Sequence, residues 1–163
     1  MGILVKIRYR LFFILAVSCL FSACRDQAAF DKNVNISQDG WPMEEVVTIN
    51  VPILDTLSHY AIFVNLRHND SYLYDNIFLE VSATSPKGAK VVDTLEYRLA
   101  DARGKWEGKK GGQWYDYILP FRSDIQFIGK GDYLFEIRYL MRQQALPGIG
   151  SVGLRLVKIE SGY

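Results

Sequence analysis

Residues 77–98, IFLEVSATSPKGAKVVDTLEYR, decide the fold. Ile77, Leu79, Val81 and Ala83 alternate with Phe78, Glu80, Ser82 and Thr84. Successive side chains on a strand point to opposite faces, so this alternation predicts a strand with one buried face. Ser85-Pro86-Lys87-Gly88 follows, with proline and glycine where a type I turn accepts them. Lys90–Arg98, β-branched at Val91, Val92 and Thr94, reads as the returning strand.

The same period extends in both directions. Val47, Ile49 and Val51 alternate with Thr48 and Asn50, and Tyr60, Ile62, Val64 and Leu66 share one face. Gln113–Phe121 and a short Asp124–Ile128 read as strands, followed by a Gly129-Lys130-Gly131-Asp132 turn. Tyr133, Phe135, Ile137 and Tyr139 then alternate with Leu134, Glu136, Arg138 and Leu140, and Val152, Leu154 and Leu156 close the chain. About seven or eight short strands between turn signals, without a helical stripe, predict an all-β domain over residues 41–163. The expected architecture is a single antiparallel β-sandwich, jelly-roll or Ig-like. A βαβ fold would need crossover helices of about a dozen residues, and no stretch offers one.

The N-terminus reads as an address label. Lys6, Arg8 and Arg10 precede the uncharged, mostly apolar Leu11–Ala23, and Ser22-Ala23 are small residues before Cys24. That is the order of a secretory signal peptide, 1–23, and the apolar run is short of the about 20 residues a spanning helix needs. Phe21-Ser22-Ala23-Cys24 resembles a bacterial lipobox, whose cysteine is diacylglycerylated and becomes the new N-terminus. Cys19 competes less well, since cleavage there would leave Leu20-Phe21 exposed. A single mature cysteine has no internal disulfide partner, so anchoring explains Cys24 better than stapling. Residues 24–40, polar and without sustained period, read as a tether spanning roughly 20–25 Å, although Phe30 and Val34 can dock on the domain.

Three of the 19 Lys and Arg leave with the signal, so the mature chain sets 16 cations against 18 carboxylates. That balance does not point to nucleic acid, which favours clustered basic surface, nor to polybasic membrane adhesion. Neither His59 nor His68 lies in a zinc-ligand pattern, and both read as solvated polar residues. Gly104–Lys109 falls one residue short of a P-loop and lacks the Ser/Thr after lysine. Ile149-Gly150-Ser151-Val152-Gly153 lacks the first glycine of a nucleophile elbow. Asn69, Asp70 and Asp75 do not complete a calcium loop. No catalytic residue, metal or cofactor is expected.

The remaining chemical signal is aromatic. Leu99–Asp116 packs glycines, Trp106, Trp114, Tyr115 and several cations between two strands. It reads either as a binding loop or as a long connection pinned by its own rings. Trp106, mid-loop between Gly104 and Gly108, is the expected partner contact, helped by Tyr72 and Tyr74 of the preceding loop, while Trp114 is expected in the core. The flat rings, Trp41 among them, leave a glycan-binding module as the alternative to a protein-interaction part.

Three segments carry a family resemblance: Phe63–Leu79 (FVNLRHNDSYLYDNIFL), Asp93–Tyr115 (DTLEYRLADARGKWEGKKGGQWY) and Tyr133–Leu156 (YLFEIRYLMRQQALPGIGSVGLRL). In this order, and behind a lipoprotein signal, the chain resembles the gliding-motility lipoprotein GldH family of Bacteroidetes. The resemblance implies a non-catalytic accessory lipoprotein of the gliding apparatus, which is linked to type IX secretion, and transfers only Cys24, as the lipidated position. Family members also occur in bacteria that do not glide, so envelope assembly or secretion stays open. The partners implied are the membrane, through the lipid on Cys24, and other envelope or gliding-machinery proteins. Arg25 at the position after the cysteine, and the absence of a strongly acidic run behind it, point to the periplasmic leaflet of the outer membrane.

Overall fold

A computed structural model describes residues 28–159. Among the described residues all regular structure is β, in antiparallel pairs. No helix in this part is long and apolar enough to cross a membrane. The expected signal peptide and Cys24 lie outside the described residues.

One sheet has the order β1-β11-β4-β8-β7, built from Ala28–Asn35, Ile149–Ile159, His59–Asn69, Trp114–Ile125 and Lys109–Gly111 respectively. A second has the order β3-β9-β5-β6: Val47–Ile53, Gly131–Tyr139, Asn76–Thr84 and Lys90–Arg98. A small ribbon pairs β2 (Trp41–Pro42) with β10 (Ala145–Leu146). The chain passes repeatedly between the two larger sheets, giving a sandwich-like arrangement, and the inward faces of both supply one hydrophobic cluster. Val47, Ile49, Val51 and Ile53 from β3 meet Tyr60, Ile62, Val64 and Leu66 from β4 in that cluster, all buried as their alternation requires. The hairpin at 77–98 is as expected: Leu79 opposes Leu95, and Gly88 N–H closes the turn on Ser85 O at 2.9 Å.

Three expectations need correction. The supposed tether is partly a strand: Ala28–Asn35 lies antiparallel on β11, with Phe30 and Val34 half-buried against the core. Its pairing is made by backbone groups, so a mainly polar segment can serve as an edge strand without a strong apolar period. The expected strands Gln113–Phe121 and Asp124–Ile128 are replaced by one, β8, which runs on to Ile125 with register irregularities opposite Tyr60–Phe63 and leaves Gln126–Ile128 in the following turn. Pro120 sits beyond the stretch that β7 covers, on a free edge where a missing N–H is tolerated. Trp114 is not core. It lies half-exposed, against Gly150, where an added Cβ would come within 2.5 Å of the indole.

Candidate functional site

The aromatic residues singled out in the sequence converge at one end of the sandwich, where β4 stops at Asn69 and the 99–108 loop folds back. His68 stands at their centre. It continues the inward phase of Tyr60, Ile62, Val64 and Leu66, and it is 0% exposed. The expectation of a solvated histidine is therefore wrong, and the phase of β4 already carried the signal. Trp106 meets its ring edge-on at 4.4 Å, while Tyr117 and Tyr115 stack on it at 5.2 and 5.6 Å. Tyr72 lies 5.3 Å away, and Tyr74 packs 5.8 Å beyond Tyr72.

The polar atoms of the cluster are spent on one another. His68 Nδ1 faces Asn69 O at 3.0 Å, and because a carbonyl only accepts, Nδ1 carries the proton. His68 Nε2, the acceptor of that tautomer, lies 3.3 Å from Tyr117 Oη, whose one hydrogen is shared between it and the nearer Leu99 O at 2.6 Å. Burial holds the imidazole pKa below its ordinary 6.5, opposed more weakly by the Asn69 carbonyl bond and by Asp70. Tyr72 donates its hydroxyl to Asn76 O at 2.8 Å, and burial pushes its pKa far up.

Each loop is locked locally. Asp101 Oδ1 accepts from Arg103 N and Lys105 N at 2.8 and 2.9 Å, which turns the chain at Gly104. Those backbone donors hold its carboxyl below the usual range. Ala100 bridges to Trp106, and Glu107 N–H returns to Leu99 O at 2.9 Å. Leu99 N–H bonds Asp75 O at 2.6 Å, joining this loop to the one after β4. From the far side Gly148 presses on Tyr72, its carbonyl accepting from Asn69 N–H at 2.9 Å.

Of the expected contact residues, then, the structure brings Trp106, Tyr72 and Tyr74 together, but as a packed cluster. Trp106 is half-buried and donates Nε1–H to Asp70 Oδ1 at 3.0 Å. Tyr72 is 2% exposed and offers a partner no contact area. Tyr74 is half-buried. What the loops present outward instead is Leu73, 69% exposed, with Arg103, Lys105 and Glu107. Trp41 is wholly buried, edge-on to Tyr139 at 5.1 Å.

His59 lies at the other end of β4, its Nδ1 hydrogen-bonded to Asp124 Oδ1 at 2.6 Å on the partly exposed surface. Ser151 is buried within β11, opposite Arg67. Among the described residues no group of three or more His, Cys, Asp or Glu is placed to hold a metal.

Comparison with known proteins completes the picture. The family model described as GldH lipoprotein matches residues 28–156. The gliding motility lipoprotein GldH of Flavobacterium johnsoniae is 35% identical over 150 residues, covering 88% of this chain and 92% of that protein. A gliding motility lipoprotein GldH homolog from Christiangramia forsetii is 29% identical over 160 residues, covering 94% of this chain and 98% of its own. Among solved structures, infectious bursal virus-derived T=1 particles align over 82% of this chain and 30% of theirs, at 16% identity and a TM-score of 0.38. A likeness that low carries no argument. The family match over nearly all of the described residues, and relatives covered over nearly their whole length, give the conclusion: this chain belongs to the GldH lipoprotein family.

Proposed function

We propose that the protein is an accessory lipoprotein anchored through Cys24 to the outer membrane, on its periplasmic leaflet, and acts as a non-catalytic protein-interaction part of the gliding and type IX secretion-linked envelope machinery. The relatives' names, gliding motility lipoproteins, support the lipoprotein and gliding parts of this reading. The observation that carries the mode of action is the locked pair of loops around His68. Their rings and polar atoms are turned inward on one another, so they hold Leu73, Arg103 and Lys105 outward in a fixed arrangement. A preorganised surface of that kind loses little conformational freedom when a protein binds it. A glycan platform would need open flat rings, and here Trp41 and Tyr72 are buried while Tyr74, Trp106, Trp114 and Tyr115 are only partly exposed.

The test is a crosslinking pull-down from cells carrying wild type or the double variant Leu73→Asp, Lys105→Glu. Both positions are exposed, so melting should be unchanged while envelope proteins recovered by wild type are lost. Recovery of the same partners by both proteins would remove this surface from the reading.

A further inference from the structure

The end of the sandwich opposite the aromatic cluster carries three large aliphatic side chains in the open. Leu54 is 77% exposed, Leu57 86% and Ile128 101%. They stand on two neighbouring turns, 54–58 and 126–130, joined by Gln126 Nε2 donating to Thr56 O at 2.9 Å. Neither turn is loose. Asp55 Oδ1 accepts from Leu57 N at 2.9 Å and Ser58 N at 3.2 Å, and its Oδ2 binds Ser58 Oγ and Lys158 Nζ at 2.6 and 2.7 Å. Phe127 is buried between Tyr60 and Tyr133, so its neighbour Ile128 is turned out. Leu57 and Ile128 are the two most exposed large hydrophobic residues among those described, and with Leu54 they gather at one tip, where apolar surface is available for contact.

The course of the chain says what covers them. The first described strand begins at this same end: Ala28 pairs with Val157, and Ala29 and Phe30 line one shallow hollow with Leu54 and Asp55. Three residues, Arg25, Asp26 and Gln27, separate Cys24 from Ala28. Four Cα steps reach at most about 14 Å. An acyl group on Cys24 therefore keeps this end of the domain at the bilayer surface. Of the carboxylates here, Asp55 is matched by Lys158 and Asp124 meets His59 Nδ1, and the exposed Asp132 is outnumbered by the exposed Lys87 and Lys130. Apolar tips flanked by cations suit a layer of phosphate headgroups over hydrocarbon.

We infer that this end docks on the lipid surface, with Leu54, Leu57 and Ile128 entering the headgroup–acyl boundary. The inference rests on the anchor reading of Cys24. It fixes the domain upright, because β4 runs from His59 at this end to His68 at the other, nine residues or roughly 30 Å away. The anchor end is thereby lipid-facing and the aromatic end faces the aqueous space.

The test uses the full protein, matured in its host and reconstituted in phospholipid vesicles. Leu57→Cys, Ile128→Cys and, as the distal control, Lys105→Cys are each labelled with a nitroxide. Collision with oxygen, which concentrates in lipid, is compared with collision with a water-soluble nickel chelate. The expected result is an oxygen-to-nickel ratio several-fold higher at positions 57 and 128 than at 105. Equal ratios at all three would overturn the docking, as would shielding of 57 and 128 from both agents, which means protein contact. Mass spectrometry of the N-terminal peptide from the same sample separates the two readings. An acylated Cys24 with water-facing tips sinks the docking alone, and an unacylated Cys24 sinks both.

Discussion

Trp106 donates its indole N–H to Asp70 Oδ1 across 3.0 Å, tying the tip of one loop to the loop that follows β4. The same ring covers one edge of buried His68. Trp106 is thus a structural pin first. Trp106→Phe, which keeps a ring but not the donor, is expected to lower stability by about 1 kcal/mol. Trp106→Ala is expected to cost about 2–3 kcal/mol, less than a fully buried tryptophan because the side chain is only partly buried. At about 4 °C per kcal/mol for a domain of this size, the two losses are readable in thermal melts, and an alanine variant that melts like wild type would contradict the pin.

Gly148 and Gly104 both have positive φ, +78 and +76°, yet their substitutions should differ. An added Cβ at Gly148 would strike the backbone N of Tyr72 and come within 2.8 Å of Asn69 Oδ1, whereas Gly104 looks into open space. Gly104→Ala is expected to cost only the left-handed backbone strain, about 1 kcal/mol. Gly148→Ala adds a collision the backbone must yield to, for a total of about 3 kcal/mol. Urea titration of both variants checks the ranking.

His68 predicts an acid-sensitive fold. Its folded pKa is depressed by burial, so on acidification the unfolded chain takes up the proton first. The contribution is complete above the unfolded value of about 6.5 and is lost as pH falls from there towards the lower folded value. Denaturation midpoints should therefore decline below about pH 6.5 in wild type, and less steeply in His68→Gln. Asp55, held low chiefly by Lys158 and then Ser58, adds a loss common to both proteins below the ordinary carboxylate pKa. Parallel curves for the two proteins between pH 7.5 and 5 would count against His68.

Cys24→Ser is expected to leave the precursor without fatty acid and to release the domain from membranes. Metabolic labelling and membrane fractionation report this directly, and a serine variant that still labels would end the anchor reading. Protease shaving of intact wild-type cells should spare the domain if it sits on the periplasmic leaflet.

Much of this was written locally. A period of two in Ile77–Ala83, Val47–Val51 and Tyr133–Tyr139 set the strands and their buried faces, because pleating leaves a strand residue only two directions to point. The same phase, followed two residues past Leu66, places His68 inside. The sequence alone determined an all-β domain, the hairpin turn at Ser85–Gly88, the lipobox pattern and the family resemblance.

Partner choice needed the tertiary structure. Ala28–Asn35 became a strand because β11 offered an unpaired edge, and backbone hydrogen bonds leave almost no mark in side-chain pattern. Trp114 turned outward because Gly150, distant in sequence, leaves room for an indole, while Trp106 turned inward onto His68 and Asp70. Leu54, Leu57 and Ile128 share one end of the domain with Ala28 only after two sheets have stacked. Alternation is fixed by neighbours along one chain segment; which segments meet is fixed by packing and long-range pairing, to which a period of two is blind.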